Sequence, residues 1–270
     1  MEVPAKCQCR NRITEKPCNN YAVNDSLFCE EHQDCEIAPL NGWEPHYDPN
    51  VWSKPEVYKA MNCYAYAMDF RGPEMIEKCR RNNARECRQF FPQPGALNGE
   101  RNALNAAERR TCPNVEKLMI ADVPGIEKST RNAVCPVGKS KIALVVDKGE
   151  DYHFYRQDSN GLWSHKDGGN KIKNYDALNR KIFDPETASR NYTHKGSSLN
   201  YDDFCGFYCA PRNYAVYLGQ GGALKSLRKK TLKKTVKKTQ KKTLKTVKKT
   251  QKKTLKTVKK TVKKTQKKTL

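Results

Sequence analysis

The stretch Lys141-Ile142-Ala143-Leu144-Val145-Val146-Asp147 and, just after it, Asp151-Tyr152-His153-Phe154-Tyr155-Arg156-Gln157 decide the fold class. The first is a short apolar run rich in β-branched residues, which reads as a strand. The second alternates aromatic and polar residues, as does Leu162 to Lys166 beyond Asp158-Ser159-Asn160-Gly161. Two β-type segments around Asn-Gly predict a hairpin. Phe204 to Cys209 is expected to be a last strand. Upstream the pattern is helical. One helix is expected from near Met61 through Cys63, Tyr66, Ala67 and Phe70, stopping at Gly72-Pro73, and a charged one from Glu74 to Gln89. Short helices are expected at Asn102–Arg110 and Val115–Asp122. Helices first and strands afterwards predict an α+β domain.

Outward from this centre the chain divides by composition. Residues 1–35 are Cys-rich and poor in large apolar residues, 36–60 form a Pro-punctuated linker, 61–222 the α+β domain, and 223–270 a Lys-rich tail. From Lys225 to Leu270 there are 21 Lys, one Arg and no acidic residue, whereas the preceding residues carry 30 basic and 29 acidic groups. The net charge of +23 therefore belongs almost wholly to the tail. Lys237–Val247 and Lys248–Val258 repeat KKTQKKTLKTV without change. Spacings of 4 and 3 between Leu, Val and Gln would keep one apolar stripe on a helix, although Lys–Lys repulsion favours disorder in the free tail. Such a segment attracts polyanions. The expected partner is nucleic acid, bound without regard to sequence through residues 225–270.

No apolar run approaches the roughly 18 residues of a membrane span, and Met1 to Lys6 lacks a secretory apolar region. These features predict no membrane partner and a cytosol-like compartment. In that setting twelve Cys point to metal binding or catalysis more than to a disulfide framework.

Cys9, Cys18, Cys29 and His32 are separated by eight, ten and two residues. Cys29-Glu30-Glu31-His32 sets two soft ligands close enough to share one ion, and Cys9 and Cys18 supply the remaining corners of a tetrahedral structural Zn²⁺ site. Cys7 is the rival to Cys9. So small an apolar content requires metal for stability. The segment resembles a small zinc knuckle found at the ends of proteins from large DNA viruses and eukaryotes, through Cys9, Lys16-Pro17-Cys18, Phe28-Cys29 and His32.

In the central domain, Asn62-Cys63-Tyr64 puts a Cys at the first turn of a helix, where the dipole favours a thiolate. His153 and His165 lie on the two hairpin strands. A nucleophilic thiol needs a base and a group that orients the base, which makes Cys63, His153 and His165 the catalytic candidates. An odd-length hairpin loop would put both His on one face. Cys79, Cys87, Cys112 and Cys135 are read as structural, and Cys205 and Cys209 as core thiols.

The words NCYAYA, YHFYRQDSNGLWSHK, Phe183-Asp184-Pro185 and Phe204-Cys205-Gly206, in this order over residues 60–210, resemble papain-like proteins of the NlpC type from bacteria, phages and large DNA viruses. The resemblance implies a papain-like core, with a helix-borne Cys packed on an antiparallel sheet. It implies a cysteine-dependent peptidase or amide hydrolase acting on a peptide or protein substrate in host cytosol or in the virion. The alternative is a non-enzymatic, nucleic-acid-associated virion protein on an inactive peptidase-like scaffold.

Overall fold

The computed structural model describes residues 5–11, 14–23, 26–82 and 87–212. The chain divides into two units, Met1–Gly221 and Gly222–Leu270. Everything expected of the Lys-rich tail lies outside the described residues.

The first unit is α+β. Its helices are α1 (Pro49–Trp52), α2 (Pro55–Tyr58), α3 (Cys63–Ala67), α4 (Pro73–Arg81) and α5 (Cys112–Asp122). Its strands are β1 (Glu127–Ser129), β2 (Lys139–Asp147), β3 (Asp151–Gln157), β4 (Trp163–Lys166), β5 (Ile172–Lys173) and β6 (Asp203–Pro211). They form one antiparallel sheet in the order β1-β6-β2-β3-β4-β5. The helix expected over 74–89 stops at Arg81, and Asn102–Arg110 yields only a 3₁₀ turn at Ala107–Arg109. Among the described residues no helix is long and apolar enough to cross a membrane.

Both faces of the sheet are covered, which explains why β2 reads as a continuous apolar run. Ile142, Leu144, Val146, Phe154, Tyr208 and Ala210 pack with Tyr64, Ala65, Val115 and Met119 of α3 and α5. Ala143, Val145, Tyr155, Trp163 and Phe207 pack on the other face with Ile182, Ala188 and Tyr201 from the long segment after β5. Burying an aromatic or aliphatic side chain of this kind contributes ~1.5–3 kcal/mol, so the two clusters dominate the stability of the sheet.

Four disulfides brace this framework: Cys9–Cys35, Cys79–Cys87, Cys112–Cys205 and Cys135–Cys209. The expectation that the cysteines serve metal or catalysis rather than disulfides is corrected for eight of the twelve. Pairing depends on which strands become neighbours, and Cys spacing carries no trace of that. A bulge does part of the work. Gly206 pairs with Leu144 and Phe204 with Val145, so Cys205 is an extra residue in β6. The extra residue inverts the side-chain alternation and turns Cys205 to the helical face, where Cys112 opens α5. Gly206 adopts φ +138°, which an L side chain rarely adopts.

Candidate functional site

The N-terminal segment brings Cys7, Cys18, Cys29 and His32 together, with their ligand atoms all within 4.8 Å of one another. Cys29 Sγ lies 3.1 Å from His32 Nδ1 and 3.8 Å from Cys18 Sγ, and Cys7 Sγ lies 4.0 Å from the same imidazole nitrogen. A tetrahedral Zn²⁺ with bonds of about 2.0–2.3 Å sets its ligands roughly 3.4–3.8 Å apart, so the residues present fit the ion. Cys9, expected as a ligand, is instead bonded to Cys35. Alternation along the extended backbone turns Cys7 and Cys9 the same way, and the spacing to Cys18 could not separate them. Burial pushes the Cys29 thiol up, but hydrogen bonds with His32 and Cys7 outweigh it and bring it down to about 7. Burial pushes Cys7 up to about 11.

The segment is docked on the domain rather than hung from it. The Gln8 side-chain amide donates to the Lys181 carbonyl, and its oxygen accepts from Phe183 N–H. Arg10 pairs with Asp184 and Glu186, and Arg131 reaches Asp184 from β1's following loop.

The second cluster lies on the β3–β4 hairpin. Tyr155 pairs with His165 and Gln157 with Trp163, which leaves a connection of odd length, Asp158 to Leu162. His153 and His165 therefore share a face, and His153 Nε2 lies 2.9 Å from His165 Nδ1. Both rings pack against Tyr155, and His153 also packs against Tyr201. Asp167, absent from the sequence reading, completes the group: its Oδ1 is 3.0 Å from His165 Nδ1 and 3.8 Å from His153 Nε2. The signal that could have found it is its place two residues after His165, on the same side of an extended strand. Nearby Asn174 and Asp176 are engaged elsewhere: Asn174 accepts from Lys181 and Asp176 caps the turn to Arg180. Burial holds His153 down to about 3. Burial alone would raise Asp167, but His165, His153 and Lys173 keep it well below the usual carboxylate range.

Cys63 follows a different geometry. The Asn62 side chain caps α3 by accepting from Ala65 N–H, which fixes Cys63 in the first turn as expected. It is buried within the helical-face cluster, with its thiol 4.0 Å from the Tyr152 carbonyl. Tyr152 and Phe154 share that face, whereas His153 projects to the opposite one. Cys63 and His153 line one cleft of about 740 Å³ with Asp151, Asp167, Lys173 and Tyr201. Among the described residues no hydrogen bond joins Cys63 to either imidazole. Burial pushes the Cys63 thiol up to about 12, opposite to the thiolate expected at a helix start. A single turn of dipole does not offset full desolvation. Lys166 beside it donates to the carbonyls of Tyr58, Met61 and Gly168, and burial lowers it to about 7.

The chain is 32% identical over 162 residues to "Insoluble matrix shell protein 1" of Ruditapes philippinarum, a match covering 60% of this chain and 86% of that protein. The chain belongs to the insoluble matrix shell protein 1 family. No family model and no solved structure matches it. Membership in a shell matrix family overturns the expected cysteine peptidase or amide hydrolase, and equally its alternative, a nucleic-acid-associated virion protein. It also overturns the hydrolase, thiol-protease, viral and DNA-binding descriptions. The expected location in host cytosol or virion is corrected on two grounds: the family, and four disulfides of a kind that persist in oxidising surroundings.

Proposed function

We propose that this protein is a structural component of an extracellular matrix, in which a disulfide-braced α+β domain is held to acidic matrix polymers by its Lys-rich tail. The observation that carries the reading is the match along 86% of a shell matrix protein. Two features support it. Disulfides tie the helical layer and the loop after β1 to strand β6, a construction that resists unfolding outside cells. Charge is segregated, with 22 basic and no acidic residues after position 224 on a chain whose remainder is almost neutral. A polycation of this kind ion-pairs with carboxylated or sulfated polymers by the same screened electrostatics that would draw it to nucleic acid. The layout beneath this role is papain-like in outline, a reading supported by helix-borne Cys63 packed on an antiparallel sheet. Its thiol, protonated and buried, serves packing.

The test uses the full chain and a variant lacking residues 225–270 on beads coated with polyaspartate or a sulfated polysaccharide. The full chain should be retained at low salt and released as salt rises, while the truncated chain passes through. Equal retention of both would remove the tail from the account.

Within this role we infer that Zn²⁺ holds the N-terminal segment through Cys7, Cys18, Cys29 and His32. The donor set and its spacing support the assignment. A metal content of zero in protein purified without chelator would end it.

A further inference from the structure

The hairpin cluster has a hydrogen-bonding problem that protons on neutral rings do not solve. His165 Nε2 faces the Tyr175 carbonyl at 3.0 Å, and a carbonyl only accepts, so that nitrogen carries the proton. In the neutral ring Nδ1 then has one lone pair and no hydrogen. That lone pair faces two groups at once, His153 Nε2 at 2.9 Å and Asp167 Oδ1 at 3.0 Å. His153 can donate to it, but the carboxylate oxygen cannot, and two lone pairs are left opposed in a site where His165 is fully buried.

A cation between the three atoms resolves the conflict, whether a second proton on His165 Nδ1 or a metal ion, and the spacing suits the metal. Separations of 2.9, 3.0 and 3.8 Å place a point about 2.0–2.1 Å from all three, just off their plane, which is the bond length of a first-row metal to imidazole and carboxylate. The surroundings are those of ligands held from behind. His165 gives its other ring N–H to a backbone carbonyl, and the remaining Asp167 oxygen is fixed by Lys173. His153 and Asp167 line the cleft of about 740 Å³, so coordination positions not taken by protein open onto it.

We propose that His153 Nε2, His165 Nδ1 and Asp167 Oδ1 form a binding site for a divalent transition-metal ion, with open coordination positions facing the cleft. Two imidazoles select a borderline ion such as Zn²⁺ or Co²⁺ over Ca²⁺ or Mg²⁺, which take oxygen ligands. The site is separate from the thiol-rich N-terminal cluster and shares no residue with it.

The two sites are distinguishable by colour. Full-length protein is stripped with chelator and titrated with Co²⁺. A thiolate-rich site gives an intense near-ultraviolet sulfur-to-cobalt band, and a His₂Asp site gives only weak visible bands. We expect a second, weakly coloured ion per chain beyond the thiolate-coloured one. Asp167→Asn should weaken it by ~100-fold or more while leaving the sulfur band unchanged. Cys29→Ser should abolish the sulfur band and keep the second ion, so failure of the N-terminal zinc reading would not be mistaken for failure of this one. His153→Gln, with near-ultraviolet circular dichroism to confirm folding, provides an independent second variant. Wild-type protein that binds no ion beyond the thiolate-coloured one overturns the proposal. So does a second ion that both hairpin variants retain with unchanged affinity.

Discussion

Cys112, the first residue of α5, is bonded to Cys205, the bulged residue of β6, across a sequence separation of 93. Cys135–Cys209 ties the same strand to the loop after β1. With the second bond intact the first closes a much shorter effective loop, so its contribution belongs near the lower end of the chain-entropy range. Cys112→Ser/Cys205→Ser should therefore lower stability by ~3 kcal/mol in urea unfolding. Removing both staples should cost more than the sum of the two single removals, because the loop each closes then lengthens. Strict additivity in a double-mutant comparison would contradict this coupling.

Metal retention should divide Cys7 from Cys9. Cys7→Ser removes a ligand and should release Zn²⁺ from the N-terminal segment. Cys9→Ser breaks the bond to Cys35 and should leave the ion in place. The check is metal content of both purified variants, and the reverse pattern would restore Cys9 as the ligand.

What the sequence could disclose follows from the range of the interactions involved. β2, β3 and β4 were legible because alternation and β-branching are local, and the Asn-Gly turn is too. Parity says that an odd-length loop puts His153 and His165 on one face, but the loop length itself is set by the pairing of Gln157 with Trp163. β1 and β5, of three and two residues, carry no pattern long enough to read and exist because β6 and β4 offer them an edge. The Cys205 bulge, the disulfide partners and the choice of Cys7 over Cys9 depend on contacts made only after folding. Cys63 marks another limit: its helix start was legible, but its burial and its side of the sheet were not.

Acidity should act on the fold through Asp122, the last residue of α5, which is 2% exposed. It accepts from the N–H groups of Gly95 and Leu97 and from the Tyr64 hydroxyl. Burial nevertheless raises its carboxyl to about 6. Between about pH 4 and 6 the native protein keeps a proton that the unfolded chain has released. The native state thus binds more protons, and the stability this group contributes is present below about pH 4 and is lost as pH rises through about 6. Asp122→Asn should flatten that part of the stability-against-pH curve. An unchanged slope in the variant would assign it to another group.

Asp184 should prove the anchor of the N-terminal segment. Its side chain is fully buried between Arg10 and Arg131, which are themselves only about a tenth exposed. Gln8 and Arg10 are held by the backbone and side chains of residues 181–186, and this carboxylate is the fully buried charge among those contacts. Asp184→Asn keeps the shape and the hydrogen bond from Glu186 N–H but leaves buried Arg131 without its counter-charge and Arg10 with Glu186 alone. Removing one partner from a buried ion pair costs ~3–5 kcal/mol. The expected result is a urea midpoint lowered accordingly, with faster amide exchange at residues 5–11. Zn²⁺ should stay bound, because the ligands Cys7, Cys18, Cys29 and His32 are all local to the segment. Loss of the metal together with the docking would mean that the segment's fold depends on the domain. An unchanged midpoint would mean that Glu186 alone suffices to hold Arg10.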